Sequence, residues 1–197
     1  MNVNAIIMAS GLSKRMNQNK LKMKIEDKFI YEFILGTVNN CKYGFNEIIV
    51  VSNDKDILEN AGSLGFKSVE NEIFNLGQSA SVRLGVEKSC ETDGYMFFTA
   101  DQPFISEKTI NELLTTFKKN SNSIIVPCYR GINGSPAIFP KIFKEQLLKL
   151  EGDTGGKLII KDNKDKIIKV HIYSEEEHID IDTIEDYEKA CKNYTRR

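Results

Sequence analysis

The apolar positions of this 197-residue chain fall into short unbroken runs separated by stretches of helical spacing. Ala5-Ile6-Ile7-Met8-Ala9, Ile48-Ile49-Val50-Val51 and Tyr95-Met96-Phe97-Phe98 are continuous rather than alternating, which suits strands buried on both faces of a parallel sheet. Shorter strands are predicted over 66–69, 123–127, 135–139 and 166–173. Phe29, Ile30, Phe33, Ile34 and Val38 form one apolar face and predict a helix over 28–41. Further helices are predicted over 54–64, closed by Gly65, and over 79–89. Ser106 opens another to about residue 119, and Pro140 starts one running to 150. The last two span 153–162 and 183–194. Strands alternating with helices argue for a three-layer α/β fold with a mostly parallel sheet. Nothing repeats and no linker interrupts the pattern, so the reading is a single domain over 1–197.

Composition narrows the class. Hydrophobic content of 41% and charged content of 28% are those of an ordinary globular protein. A net charge of −1 with a pI near 6.2 supplies no general attraction to nucleic acid or anionic membrane, and no apolar stretch approaches the ~20 residues of a membrane span. Cys41, Cys90, Cys128 and Cys191 are scattered without Cys-x-x-Cys spacing, and Met1 leads directly into a strand. Both features point to a reduced, cytoplasmic protein with structural thiols. His171 and His178 are the only histidines and do not by themselves make a metal site.

Candidate chemistry begins at the end of the first strand. Ala9-Ser10-Gly11-Leu12-Ser13 breaks the apolar run and is followed by Lys14, Arg15 and Lys20. Small residues let backbone N–H groups approach an anion, and cations neutralise it. Gly11 also tolerates a positive φ. The loop is neither a Walker A sequence nor a dinucleotide fingerprint. Taken alone, it is equally a tight strand-to-helix turn with a solvated basic face.

Asp101 ends the strand over 95–99 and lies, like that loop, at the carboxyl edge of a parallel sheet, where ligands bind. It reads either as a turn residue or as a ligand for Mg²⁺ shared with nucleotide phosphates. Asp180-Ile181-Asp182 places two carboxylates on one side of an extended chain, with one able to complete such a site and the other to cap the following helix. Gly77, Ser79 and Ser81 stand at a helix start, as in any N-cap, with Arg83 beyond. Gly131 to Pro136 and Gly152 to Lys157 read as glycine-bearing turns.

The string Ala9-Ser10-Gly11-x-Ser13-x-Arg15-Met16, with Lys20-Leu21 beyond, resembles the signature of the MobA-like nucleotidyltransferases. Ser10, Asn17 and Lys24 depart from the usual Ala or Gly, Gly and Pro. Ala100-Asp101-Gln102-Pro103, the Gly-x-Ser-x-Ser of 77–81 and Asp180-Ile181-Asp182-Thr183 resemble further family blocks in the same order, with Ile184 in place of a Pro. Ser135 stands where the family has His, and Lys157 where it has Arg, which keeps charge but loses the planar fork.

The resemblance implies a Rossmann-like nucleotide-diphospho-sugar transferase fold, with a triphosphate cradled by Ala9, Ser10, Gly11, Leu12, Ser13, Arg15 and Lys20. It implies a base and ribose against Gly77, Ser79 and Ser81, and Mg²⁺ on Asp101 and Asp182. Catalysis falls to Arg15, Lys20 and Asp101. The acceptor falls to Gly134, Ser135, Pro136, Asp153 and Lys157. Within the family the Asp-bearing blocks resemble the molybdenum cofactor cytidylyltransferases. The expected reaction transfers CMP from CTP to the terminal phosphate of molybdenum-loaded molybdopterin, and a molybdenum hydroxylase apoenzyme is the expected receiver. Transfer of GMP, transfer to a sugar phosphate, and a nucleotide-binding carrier without catalysis are the alternatives.

Overall fold

In the computed structural model, which describes residues 1–11, 16 and 18–195, the continuous apolar runs lie side by side. The strands are β1 (Val3–Ala9), β2 (Lys24–Ile25), β3 (Lys28–Phe29), β4 (Glu47–Ser52), β5 (Lys67–Glu70), β6 (Gly94–Thr99), β7 (Ile124–Tyr129), β8 (Ile132–Asn133), β9 (Ala137–Pro140) and β10 (Ile167–His171). The helices are α1 (Ile30–Asn40), α2 (Lys55–Ser63), α3 (Gln78–Lys88), α4 (Glu107–Lys119), α5 (Lys144–Leu148), α6 (Lys157–Asp162) and α7 (Ile184–Tyr194). One sheet has the order β10-β7-β9-β6-β1-β4-β5, with β8 paired to β7. β5, β4, β1 and β6 are mutually parallel, as are β7 and β10. β9 runs against both β6 and β7.

Alternate residues of each central strand feed separate cores. Ala5, Ile7, Val50 and Phe98 pack with residues of α1, α2, α4 and α7. Ile6, Ile49, Val51 and Phe97 pack with residues of α3, α5 and α6. That division makes the sheet the middle of three layers and accounts for its unbroken apolar strands. α3 lies close over β1 because Gly85 faces Ile6, where a Cβ would strike the isoleucine side chain. None of the described helices is long and apolar enough to cross a membrane.

Three predicted elements change shape. The helix over 28–41 begins only at Ile30, because Lys28–Phe29 pairs antiparallel with Lys24–Ile25. Glu32 then closes the helix start by accepting from the Phe29 N–H at 2.7 Å. Lys24, which departs from the family signature, belongs to this hairpin: its ammonium stands over the Phe29 ring at 5.0 Å and its carbonyl accepts from the Tyr187 hydroxyl at 2.6 Å. The helix over 140–150 divides into a 3₁₀ turn, Lys141–Phe143, and the short α5. The helix over 153–162 begins only at Lys157, because the preceding glycines pack against Gln78 and Phe139.

Candidate active site

β1 ends between two hydroxyls that bind backbone rather than solvent. Ser10 Oγ donates to the Val51 carbonyl at 3.1 Å, and Ser52 Oγ donates to the Ala9 carbonyl at 2.8 Å. These bonds tie the carboxyl ends of β1 and β4 together, so what Ala9 and Ser10 offer a ligand is main chain. Gly11 is exposed, and nothing lies within 4 Å of where its Cβ would stand. Its φ is not among the positive ones, so its use here is open space rather than an unusual turn. Leu12, Ser13 and Arg15 lie outside the described residues.

The chain re-enters at Asn19, whose Oδ1 accepts from the Leu21 N–H at 3.1 Å and so caps the 3₁₀ turn Lys20–Lys22. The Asn19 amide in turn donates to Asp54 Oδ2 at 3.1 Å. Leu21 is buried in the core. With the turn fixed at both points, Lys20 projects inward and is only 7% exposed.

Asp101 follows β6 on the opposite side of that lysine. The Ala100 N–H donates to the Met8 carbonyl, and the Ile181 N–H donates to the Asp101 carbonyl at 3.1 Å. Ile181 is fully buried. It acts as a plug: with the isoleucine in the core, Asp180 and Asp182 fall on the other side of the strand-like segment. Thr183 and Asp186 then form a reciprocal cap that starts α7.

Lys20 Nζ lies 2.7 Å from Asp101 Oδ2 and 2.8 Å from Asp182 Oδ1. Burial alone would lower the Lys20 pKa, but Asp101 and then Asp182 outweigh it and raise it. A lysine pKa raised on folding stabilises the fold fully below the ordinary lysine range, and that stability is lost only as pH climbs through the raised value. The ammonium therefore stays charged at neutral pH. Asp180 is exposed at its surface, yet its crowded surroundings push its carboxyl up, with the charges of Asp101 and Asp182 adding to the effect. Gln102 and Lys157 pull it the other way. Lys157 thus stands on the rim of this acidic group.

Gly77 is the crossing point between α3 and the 152–156 loop. Its φ is 93°, and a Cβ there would stand 2.6 Å from the Gly152 carbonyl oxygen and 2.7 Å from the Asp153 nitrogen; only glycine fits both demands. The Ser79 N–H donates to the Gly152 carbonyl, and the Gln78 N–H donates to Asp153 Oδ1, each at 3.3 Å. Asp153 is thereby placed on the start of α3, among the residues expected to meet the base. Ser81 Oγ accepts from the buried Asn71 amide at 3.1 Å, whereas the buried Ser79 Oγ has no partner among the described residues. The Arg83 guanidinium donates to the Leu150 carbonyl at 2.9 Å and so braces the chain that enters this loop.

On the other side of Asp101, the Gly134 N–H donates to the Pro127 carbonyl at 2.9 Å, and Ser135 Oγ donates to the Phe97 carbonyl at 3.5 Å. Ser135 and Pro136 are joined by a cis peptide bond. Lys20, Asp101 and Asp182 are thus brought into contact. The remaining predicted groups stand apart, with Gly77, Ser79 and Asp153 together at α3 and Gly134 to Pro136 beside β7. Asn19 and Asn71 carried no signal in the sequence, because Asp54 and Ser81, which their amides meet, lie outside their local pattern.

Among the described residues no cluster of three or more Asp, Glu, His or Cys has metal-binding geometry. Two hard carboxylate oxygens nevertheless converge on one cation, the Lys20 ammonium. That donor set fits Mg²⁺ or Mn²⁺, which take one or two carboxylates plus substrate phosphate oxygens rather than an all-protein cage.

Residues 5–167 match the MobA-like NTP transferase domain. The chain belongs to that family. A probable molybdenum cofactor guanylyltransferase from Natranaerobius thermophilus is 28% identical over 132 residues, which are 66% of this chain and 62% of that relative. The match therefore spans less than two thirds of the relative's length. A crystal structure of an Rv0371c homologue from Mycobacterium sp. strain JC1 superposes with a TM-score of 0.84 at 21% identity, covering 98% of this chain and 97% of the other. Rv0371c of Mycobacterium tuberculosis in complex with manganese gives a TM-score of 0.80 at 19% identity, covering 98% and 99%. The chain has the Rossmann-like α/β fold of these solved structures.

Proposed function

We propose that this transferase moves CMP from CTP to the terminal phosphate of molybdenum-loaded molybdopterin and releases pyrophosphate. The observation that carries the reading is the convergence of Lys20, Asp101 and Asp182 at the carboxyl edge of the sheet, beside the open main chain at Gly11. In this reading Ala9, Ser10 and Gly11 present N–H groups to the triphosphate, with Leu12 and Ser13 continuing the cradle. Gly77, Ser79 and Ser81 face base and ribose. Asp101 and Asp182 hold Mg²⁺, which when bound draws the nucleotide phosphates together and offsets their charge.

An oxygen of the acceptor phosphate attacks the α-phosphorus in line with the departing pyrophosphate. One P–O bond forms as the bond to the β-phosphate oxygen breaks, and that oxygen leaves with the electron pair. A phosphate acceptor is already ionised at neutral pH, so the chain supplies no general base. Its contribution is position and charge. Arg15 binds the β- and γ-phosphates and steadies the leaving group. Lys20 offsets charge at the α-phosphate. Lys157 faces the acceptor phosphate, with Gly134, Ser135, Pro136 and Asp153 shaping its approach. The product passes to a molybdenum hydroxylase apoenzyme.

The choice of CTP rests on the Ala-Asp-Gln-Pro and Asp-Ile-Asp-Thr blocks. A second reading, transfer of GMP from GTP to the same acceptor, is favoured by the guanylyltransferase relative. Pyrophosphate release is to be measured with Mg²⁺ and molybdenum-loaded molybdopterin against CTP, GTP, UTP and ATP in parallel. Release confined to CTP is expected. Release with GTP overturns the base assignment and keeps the chemistry, and silence with all four while a nucleotide still binds overturns the proposed reaction.

A further inference from the structure

Lys20 and Lys22 leave one 3₁₀ turn in different directions, and each ends on two carboxylates. Lys20 reaches Asp101 and Asp182, whereas Lys22 Nζ lies 2.9 Å from Asp54 Oδ2 and 2.6 Å from Asp56 Oδ2. A 3₁₀ turn repeats every three residues, so side chains two apart face different ways. This turn spans only Lys20–Lys22, and a single turn fixes many backbone dihedrals for very few hydrogen bonds. Its shape therefore depends on what holds it from outside.

Leu21 holds the turn from the core side, and Asp54 holds it from the other. The Asp54 carboxylate is itself fixed. It caps the start of α2, where Oδ1 accepts from the Asp56 and Ile57 N–H groups at 3.0 and 3.5 Å, and the helix dipole favours a negative charge there. Oδ2 is left for the turn, accepting from the Asn19 amide at 3.1 Å and from Lys22. The Asp54 side chain is 16% exposed, so these bonds are screened less than those of an open surface pair.

Asp54 is tied in turn to the end of β1. Its N–H donates to Ser52 Oγ at 3.1 Å, and that hydroxyl donates to the Ala9 carbonyl at 2.8 Å. Ala9, Ser52, Asp54 and Asn19 thus form one run of hydrogen bonds, and Asn19 caps the turn that carries Lys20. The run joins the main chain where β1 ends to the lysine beside the two acids.

We propose that Asp54 is a positioning residue for nucleotidyl transfer. Through Asn19 and Lys22 it fixes where the Lys20 ammonium stands relative to the end of β1. The inference rests on the reading proposed above, in which Lys20 offsets charge at the α-phosphate.

Asp54→Asn tests it. Asparagine caps a helix as well as aspartate does, so α2 is expected to keep its start. An amide nitrogen in place of Oδ2, however, turns a donor toward the Asn19 amide and the Lys22 ammonium. Asn19→Ser keeps a capping oxygen for the turn, drops the donor to Asp54 and leaves α2 untouched. Each variant is expected to lower kcat for pyrophosphate release about ten-fold, as a displaced catalytic group does, with KM for the nucleotide little changed. In a Lys20→Met background neither is expected to slow the reaction further, because both changes act through one group. Wild-type kcat in either variant would overturn the proposal, as would a similar loss in the Lys20→Met background.

Amide hydrogen exchange reads the same contact without turnover. The Leu21 and Met23 N–H groups are expected to exchange about ten-fold faster in both variants. The Leu58 N–H, which donates to the Asp54 carbonyl, is expected to keep its wild-type rate. Unchanged exchange at Leu21 and Met23 would overturn the proposal. Faster exchange in a protein that releases pyrophosphate from no nucleotide would support the hold of Asp54 on the turn and overturn the reaction instead.

Discussion

Asp101→Asn is expected to lower kcat for pyrophosphate release by about 10²–10³-fold, the order lost when a single charge-stabilising group is removed from a transition state. The substitution keeps an oxygen of the same shape but removes the charge. The amide oxygen still accepts from Lys20, and the main-chain bond from Ile181 to the Asp101 carbonyl does not involve the side chain. The carboxylate is 22% exposed, so losing its charge leaves no sealed, unpaired ion behind. The fold is therefore expected to persist, with a stability change of roughly 1 kcal/mol and a melting shift of about 2–4 °C. Steady-state pyrophosphate release and a thermal melt on the same sample check both halves. Turnover near the wild-type rate would remove Asp101 from the reaction.

Lys20→Met should separate charge from packing at the same centre. Methionine keeps an unbranched apolar stem for the buried position and discards the ammonium. A loss of about 10²-fold in kcat is expected if Lys20 neutralises developing charge on the transferred phosphate. Stability should fall by only about 1 kcal/mol, because the side chain of one partner, Asp182, remains 48% exposed and water screens the two carboxylates left facing each other. Divalent-ion affinity should be retained or rise, since no ammonium then competes for the two carboxylates. Single-turnover rates and a metal titration of the variant test these together. An unchanged rate would take Lys20 out of the chemistry.

The parts of this fold legible in the sequence are those held by local pattern. β1, β4 and β6 are buried on both faces, so each carries an unbroken apolar run and their position is plain. The helices with a long apolar face, α1 and α4, are equally plain. What pattern could not supply were outcomes settled by remote partners. The Lys24–Phe29 pairing shortened α1 from its amino end. The docking of residues 152–156 on Gly77 and Gln78 cost α6 its first turn. Arg83 donates to the Leu150 carbonyl, a partner 67 residues away.

The candidate site shows the same division. Alternation in Asp180-Ile181-Asp182 was enough to put both carboxylates on one side, and the buried Ile181 supplies the physical reason. That Lys20 reaches both acids across the sheet edge follows from the Leu21 anchor and from the Asn19 cap, which has no sequence signature of its own. Ser10 and Ser81 turned their hydroxyls to the Val51 carbonyl and the Asn71 amide. In the account proposed here they contribute chiefly by shaping the backbone that a nucleotide meets.

The central claim is that Asp101 and Asp182 together hold one divalent ion at the nucleotide phosphates. Mn²⁺ binding, followed by electron paramagnetic resonance with CTP present, tests it most directly in the wild-type protein and in Asp101→Asn and Asp182→Asn. The account predicts one nucleotide-dependent Mn²⁺ site in the wild type, weakened by at least about ten-fold in each variant. Retention of that site at full affinity in both variants would contradict it.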